Sequence, residues 1–248
     1  MSLKFSAAAH RYTMDGKKVV GVTTILGKGI PKPALAPWAA KSVAEYVADH
    51  ADDLEALRRG GREPMIGFLK GVPWQVRDEA AIRGTEVHAL AEKLVHGEAV
   101  EVPEHLVGHV EGYAKLIDDF GIEPILTEVS VGHKPEWYAG RLDIVAKMRG
   151  EVWLLDNKTS KGVYGETGLQ CAAYAKCEFY VNDNEWDVEI SMPQIDRIGV
   201  IHVTSDGSTI HDLGDIAANF KVFQHVKYLA NKTDYIKGLV GEAMVPNE

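Results

Sequence analysis

Cysteine is scarce in this chain. The two present, Cys171 and Cys177, lie six apart with no CxxC pair, so neither a disulfide framework nor a four-cysteine iron-sulfur or zinc site can be built. Both are expected to be buried small hydrophobes. Long apolar runs are missing too: none approaches the roughly 20 residues that span a bilayer. Residues Met1 to His10 lack the basic start and apolar stretch of a signal peptide, so no membrane partner and a cytoplasmic location are expected. No G-x-S-x-G elbow or Walker A pattern occurs, which argues against a serine hydrolase or a fused nucleotide-driven motor. Positive charge is in deficit as well. The formal net charge of -9 repels a polyanion unless basic residues gather locally or a cation bridges the two. What is present, 46% hydrophobic and 25% charged residues without low-complexity tracts, is the make-up of an ordinary globular protein.

The 248 residues suit one domain with additions. Asp15-Gly16 separates two β-prone runs, His10 to Met14 and Lys18 to Leu26, and reads as a hairpin turn. The prolines between Gly27 and Pro37 argue against helix there, whereas Trp38 to Leu57 shows apolar residues at helical spacing. After the basic loop Arg58 to Arg62, helices are expected from about Trp74 to His96 and from Glu104 to Phe120, the latter entered at Pro103. Ile125 to Val131, Tyr138 to Met148 and Glu151 to Lys158 read as three adjacent strands. Gly165 to Tyr180 reads as helix, Asp187 to Leu213 as further strands turning at Asp206-Gly207, and Ile216 to Leu239 as a closing amphipathic helix. The expected fold is α/β (α+β), with a central mixed β-sheet flanked by helices. Within it, residues 1–72 form the hairpin and helical elaboration, 73–213 the core and 214–248 the closing helix.

A two-residue loop at Arg149-Gly150 pairs Met148 with Glu151 and, counting outward, sets Asp143 opposite Asp156. Alternation then puts Asp156 and Lys158 on one face, joined by Arg141 and Asp143, with Trp153, Leu155 and Asn157 on the other. Opposed like charges destabilise a sheet, and a divalent cation is one remedy, since Mg²⁺ or Mn²⁺ prefers hard oxygen ligands. From register alone, a metal site and a solvated face of alternating charges stand equally open.

The ordered set Gly140-Arg141-Leu142-Asp143, Trp153-Leu154-Leu155-Asp156-Asn157-Lys158-Thr159 and Gln170-Cys171-Ala172-Ala173-Tyr174 resembles the core of RecB-like PD-(D/E)XK nucleases. That family runs through a GxxD strand, a hydrophobic D/E-x-K strand and a Q-x-x-x-Y helix in this order. Arg83-Gly84-Thr85-Glu86-Val87-His88 resembles its upstream helix, and the likeness covers roughly Arg83 to Tyr174. A second D-x-K triplet, Asp15-Gly16-Lys17, sits in a turn with no evident partner acid, and His105 and His109 read as helix surface. In length and hairpin texture the chain is similar to small stand-alone bacteriophage exonucleases.

The resemblance implies a PD-(D/E)XK, restriction-endonuclease-like core and a metal-dependent nuclease, a DNA exonuclease acting from ends. Alternatives are a structure-specific or RNA-cleaving nuclease, or a non-catalytic DNA-binding protein of the same fold. It makes His88, Asp143, Asp156 and the Asn157 carbonyl ligands of Mg²⁺ or Mn²⁺, with no iron-sulfur cluster, and Lys158 the catalytic lysine. Glu128 is expected to add an acid or orient a water, and Gln170 and Tyr174 to position DNA. Arg83, Arg141 and Lys161 are candidate phosphate contacts. DNA and recombination or replication proteins are the implied partners.

Overall fold

Arg149 and Gly150 both adopt positive φ, 55° and 84°, the backbone of a two-residue type I′ turn whose twist suits a hairpin. That turn anchors the sheet. The computed structural model describes residues 3–6, 11–183 and 185–243. His10, at the start of the expected hairpin, and residues 244–248 of the closing segment lie outside the described residues. In chain order the elements are β1 (Leu3–Ser6), β2 (Arg11–Met14), β3 (Lys17–Gly21), α1 (Val22–Gly29), α2 (Leu35–Asp49), α3 (Ala51–Arg59) and α4 (Arg62–Val95). Then follow α5 (Val107–Phe120), β4 (Glu123–His133), β5 (Tyr138–Met148), β6 (Glu151–Lys158), α6 (Glu166–Ala175), β7 (Phe179–Val181), β8 (Ile190–Ser191), β9 (Arg197–Thr204), β10 (Gly207–Asp212) and α7 (Ile216–Lys237).

This is a mixed α+β architecture: among the described residues ten strands join in one sheet of parallel and antiparallel pairs with helices beside it. The chain forms two compact units, one of Met1–Ile30 with Leu90–Glu248 and one of Pro31–Ala89. The first carries the whole sheet. The second is helical, built from α2, α3 and most of α4, so the division expected at residue 72 falls inside α4.

In the first unit β4 pairs with β5 from Glu123↔Lys147 to His133↔Tyr138. The other edge of β5 is shared, by β3 running parallel at Tyr138 and Ala139 and by β6 running antiparallel from Ile144 to Met148. Between them the sheet forks. Among the described residues, Gly140 to Asp143 have no strand paired on that edge. Onto the sheet pack α6, α1 and α7, burying Leu142, Val145, Leu154, Ile198, Cys171, Ala172, Tyr174 and Phe223 in one core. Each such aliphatic or aromatic side chain contributes ~1.5–3 kcal/mol on full burial.

Several expectations are corrected. Val22 to Leu26, read as strand from their β-branched residues, begin helix α1, because Val22, Ile25 and Leu26 at helical spacing fill the core. The stretch from Gly27 is not helix-free, since α1 runs to Gly29 and α2 starts at Leu35, with Pro37 in its first turn where no helical N–H is required. The single helix expected from Trp38 to Leu57 breaks at His50. Helix α4 begins at Arg62, not near Trp74, and runs through Pro73. Helix α6 ends at Ala175 and gives way to β7.

Candidate metal centre

The register Met148↔Glu151 through Ile144↔Leu155 is the one the turn demands. One step further the ladder stops: the Asn157 N–H donates to the Asp143 carboxylate (Oδ2, 2.7 Å), so a side chain takes the place of a backbone acceptor. Asp156 is therefore near Asp143 without facing it bare. It is 2% exposed, and its Oδ1 accepts from Gln170 Nε2 at 2.6 Å. Lys158 Nζ lies 2.5 Å from Asp156 Oδ2, an ion pair by distance though not a hydrogen bond by direction. The solvated-face reading of the hairpin fails on this burial, and the acids have protein partners even without a cation.

Burial works to lower the Lys158 pKa, but the Asp156 and Asp143 carboxylates outweigh it and hold the ammonium above its ordinary value. The charge of Lys158 is thus built in. Burial pushes the neighbouring Cys171 thiol and Tyr174 phenol well up, with Asp156 adding to both. Neither is a nucleophile here.

A second cluster adjoins these groups. Ligand atoms of Glu128 and Asp143 lie within 4.8 Å of each other, and both residues are half-buried. His88, expected as a ligand, sits near the end of α4 in the second unit. By register Glu128 would face Asp143, between the pairs Thr127↔Ile144 and Val129↔Leu142. It adopts φ 50° there, a left-handed conformation that costs a non-glycine residue roughly 1–2 kcal/mol. A strained acid in mid-strand, beside a second carboxylate, is the most distinctive backbone feature of the site.

The remaining expected residues are placed as follows. Tyr174 is 2% exposed and packs on Gly140, where an added Cβ would lie 2.3 Å from its ring carbon Cε1. The glycine of the GxxD segment is thus required by the tyrosine of the helix. Arg141 Nε donates to Glu128 Oε2 (2.8 Å), while its two terminal nitrogens each donate to an Asp183 oxygen at 3.1 Å. Burial opposes its protonation, yet Asp183 and Glu128 hold its pKa above the usual value. Lys161 is exposed in the loop after β6, and Arg83 is exposed on α4. Asp156, expected as a ligand, is not grouped with Asp143, whereas Glu128 is. Asp183 was not anticipated, because nothing in its loop signals a partner 42 residues earlier.

No family model and no curated protein matches the chain. A solved structure titled "Crystal structure of SSO0001" is similar over 88% of this chain and 86% of that one, at 14% identity and a TM-score of 0.31. Among the described residues no helix is long and apolar enough to cross a membrane.

Proposed function

We propose that the chain is a divalent-metal-dependent nuclease with a PD-(D/E)XK core, hydrolysing DNA phosphodiester bonds from ends. The observation that carries this reading is the meeting of Glu128 and Asp143 within 4.8 Å, adjoining a lysine locked on a third acid. Two such carboxylates suit Mg²⁺ or Mn²⁺. The buried Asp156 Oδ2, which has a charge beside it but no aligned hydrogen bond, also fits a polar, cation-bearing pocket. Glu128 and Asp143 would hold the ion, which when bound supplies Lewis acidity toward a phosphoryl oxygen and toward water.

Lys158, held by Asp156, stabilises the negative charge that develops at phosphorus or orients the attacking water. Gln170 fixes Asp156 and so acts through it. The exposed Lys161 supplies local positive charge to a substrate that the net charge of -9 would otherwise repel. DNA, and through it recombination or replication proteins, are the partners this reading implies.

Purified protein should degrade end-labelled linear DNA with Mn²⁺ or Mg²⁺, stop in EDTA, and leave a covalently closed circle intact. Asp143→Asn should be inactive. Rapid nicking of the circle would assign an endonuclease instead, and undiminished cleavage in EDTA would overturn the metal mechanism. No cleavage of single- or double-stranded DNA or RNA would leave a binding protein.

A further inference from the structure

Arg141 is fully engaged. The side edge of its guanidinium meets Glu128, and its two terminal nitrogens grip both oxygens of Asp183, between β7 and β8. We propose that Arg141, braced by Asp183, is a positioning residue that sets the Glu128 carboxylate in the metal site, an inference that rests on the metal-dependent reading above.

A plain staple between β5 and the loop after β7 needs only Arg141 and Asp183. The further contact runs to the one residue of β4 held at positive φ, whose carboxylate already lies beside that of Asp143. A flexible glutamate must lose rotamer freedom to ligate a cation. Here one oxygen is tethered on folding, so that ordering precedes binding, as groups behind a ligand commonly arrange. Arginine is required because three contacts to two carboxylates use its planar fork, which an ammonium lacks. Asp183 has a second effect. A lone guanidinium beside the site would repel a cation, but paired with Asp183 it adds almost no net charge, so the clasp orients Glu128 without opposing the ion.

Charge balance dictates the test, which reads Mn²⁺ affinity without substrate, by calorimetry or electron paramagnetic resonance. The double variant Arg141→Gln/Asp183→Asn removes the clasp at constant net charge, and should weaken Mn²⁺ binding by ~10-fold or more, the scale for losing a group behind a ligand. Arg141→Lys keeps the charge and loses the fork, so it should also weaken binding, and it serves if the double variant does not fold. In a Glu128→Gln background the double substitution should change affinity no further. Unchanged Mn²⁺ affinity with only a lowered melting temperature would mean a staple and overturn the proposal. An equal loss in the Glu128→Gln background would overturn it too. Failure of the wild-type chain to bind Mn²⁺ would overturn the reading of the site and the clasp together.

Discussion

Replacing Lys158 by alanine separates three quantities that usually move together. In the folded chain Nζ lies 2.5 Å from a carboxylate oxygen of Asp156, which is 2% exposed, while the lysine side chain is 31% exposed. Removing one partner of a fully buried ion pair costs ~3–5 kcal/mol, and leaving a buried acceptor without its partner costs ~1–3 kcal/mol. Water reaches Lys158, and Gln170 still holds the other oxygen of Asp156, so the lower range applies. Lys158→Ala should therefore destabilise the metal-free protein by ~1–3 kcal/mol, measured by urea denaturation. Metal affinity should move the other way or stay level, because an ammonium has no lone pair for a cation and repels it. Calorimetric titration with Mn²⁺ should give a dissociation constant equal to or below that of the wild type. Single-turnover cleavage of end-labelled DNA at saturating Mn²⁺ should slow by ~100-fold or more, the scale of losing one preorganised charge stabiliser. A tenfold loss of Mn²⁺ affinity, or an undiminished cleavage rate, would refute the reasoning.

Gly140→Ala should lower the melting temperature, since the new methyl would lie 2.3 Å from the Tyr174 ring in a packed core; overpacking costs ~1–3 kcal/mol, and an unchanged melting curve would contradict the contact. Gln170→Ala should slow cleavage while leaving Mn²⁺ affinity within a few-fold, because Asp156 stands outside the Glu128 and Asp143 pair; a loss of affinity above tenfold would place Asp156 among the ligands. His133 stacks on Tyr138 and Phe220 at centroid distances of 4.8 and 5.7 Å, and burial outweighs Glu178 and Glu136 to lower its pKa. The unfolded chain then binds the proton more readily, so His133 contributes stability above a pH of about 6.5 that is lost as pH falls through its folded pKa. The stability difference between wild type and His133→Asn should accordingly shrink between pH 7 and pH 5, and a difference that grows would show the sign to be wrong.

Where local chemistry decides structure, the sequence was readable. The register of β5 and β6 follows from the two-residue turn at Arg149-Gly150, the β9–β10 hairpin turns at Ser205-Asp206, one residue from the expected Asp206-Gly207, and the closing helix starts at the expected Ile216. Where packing decides, it was not. Val22 to Leu26 carry β-branched residues, yet the core takes them as helix, and Pro73 loses one hydrogen bond inside α4 without ending it. In the site, Asp143, Asp156 and Lys158 were legible through period-two alternation. Opposed acids do not by themselves require a cation, since the Asn157 N–H, Gln170 and Lys158 compensate them. Glu128 was visible as a strand acid, but its positive φ, its nearness to Asp143 and its tie to Arg141 depend on tertiary geometry that no spacing rule encodes.

The short parallel meeting of β3 with β5, at Val20↔Tyr138 and Gly21↔Ala139, bears on how the molecule assembles. Hairpins such as β2–β3 and β5–β6 close through turns of two residues and can form as soon as both arms exist. The β3–β5 pair spans the longest interval of any strand pair in the sheet, across the whole helical unit, α5 and β4, and closing so long a loop is slow. In a chain synthesised from its first residue, β3 is an open strand edge until β5 arrives. Lys17 and Lys18, both exposed at its start, place charge on that edge, a common means of discouraging a strand from pairing with another chain while it waits.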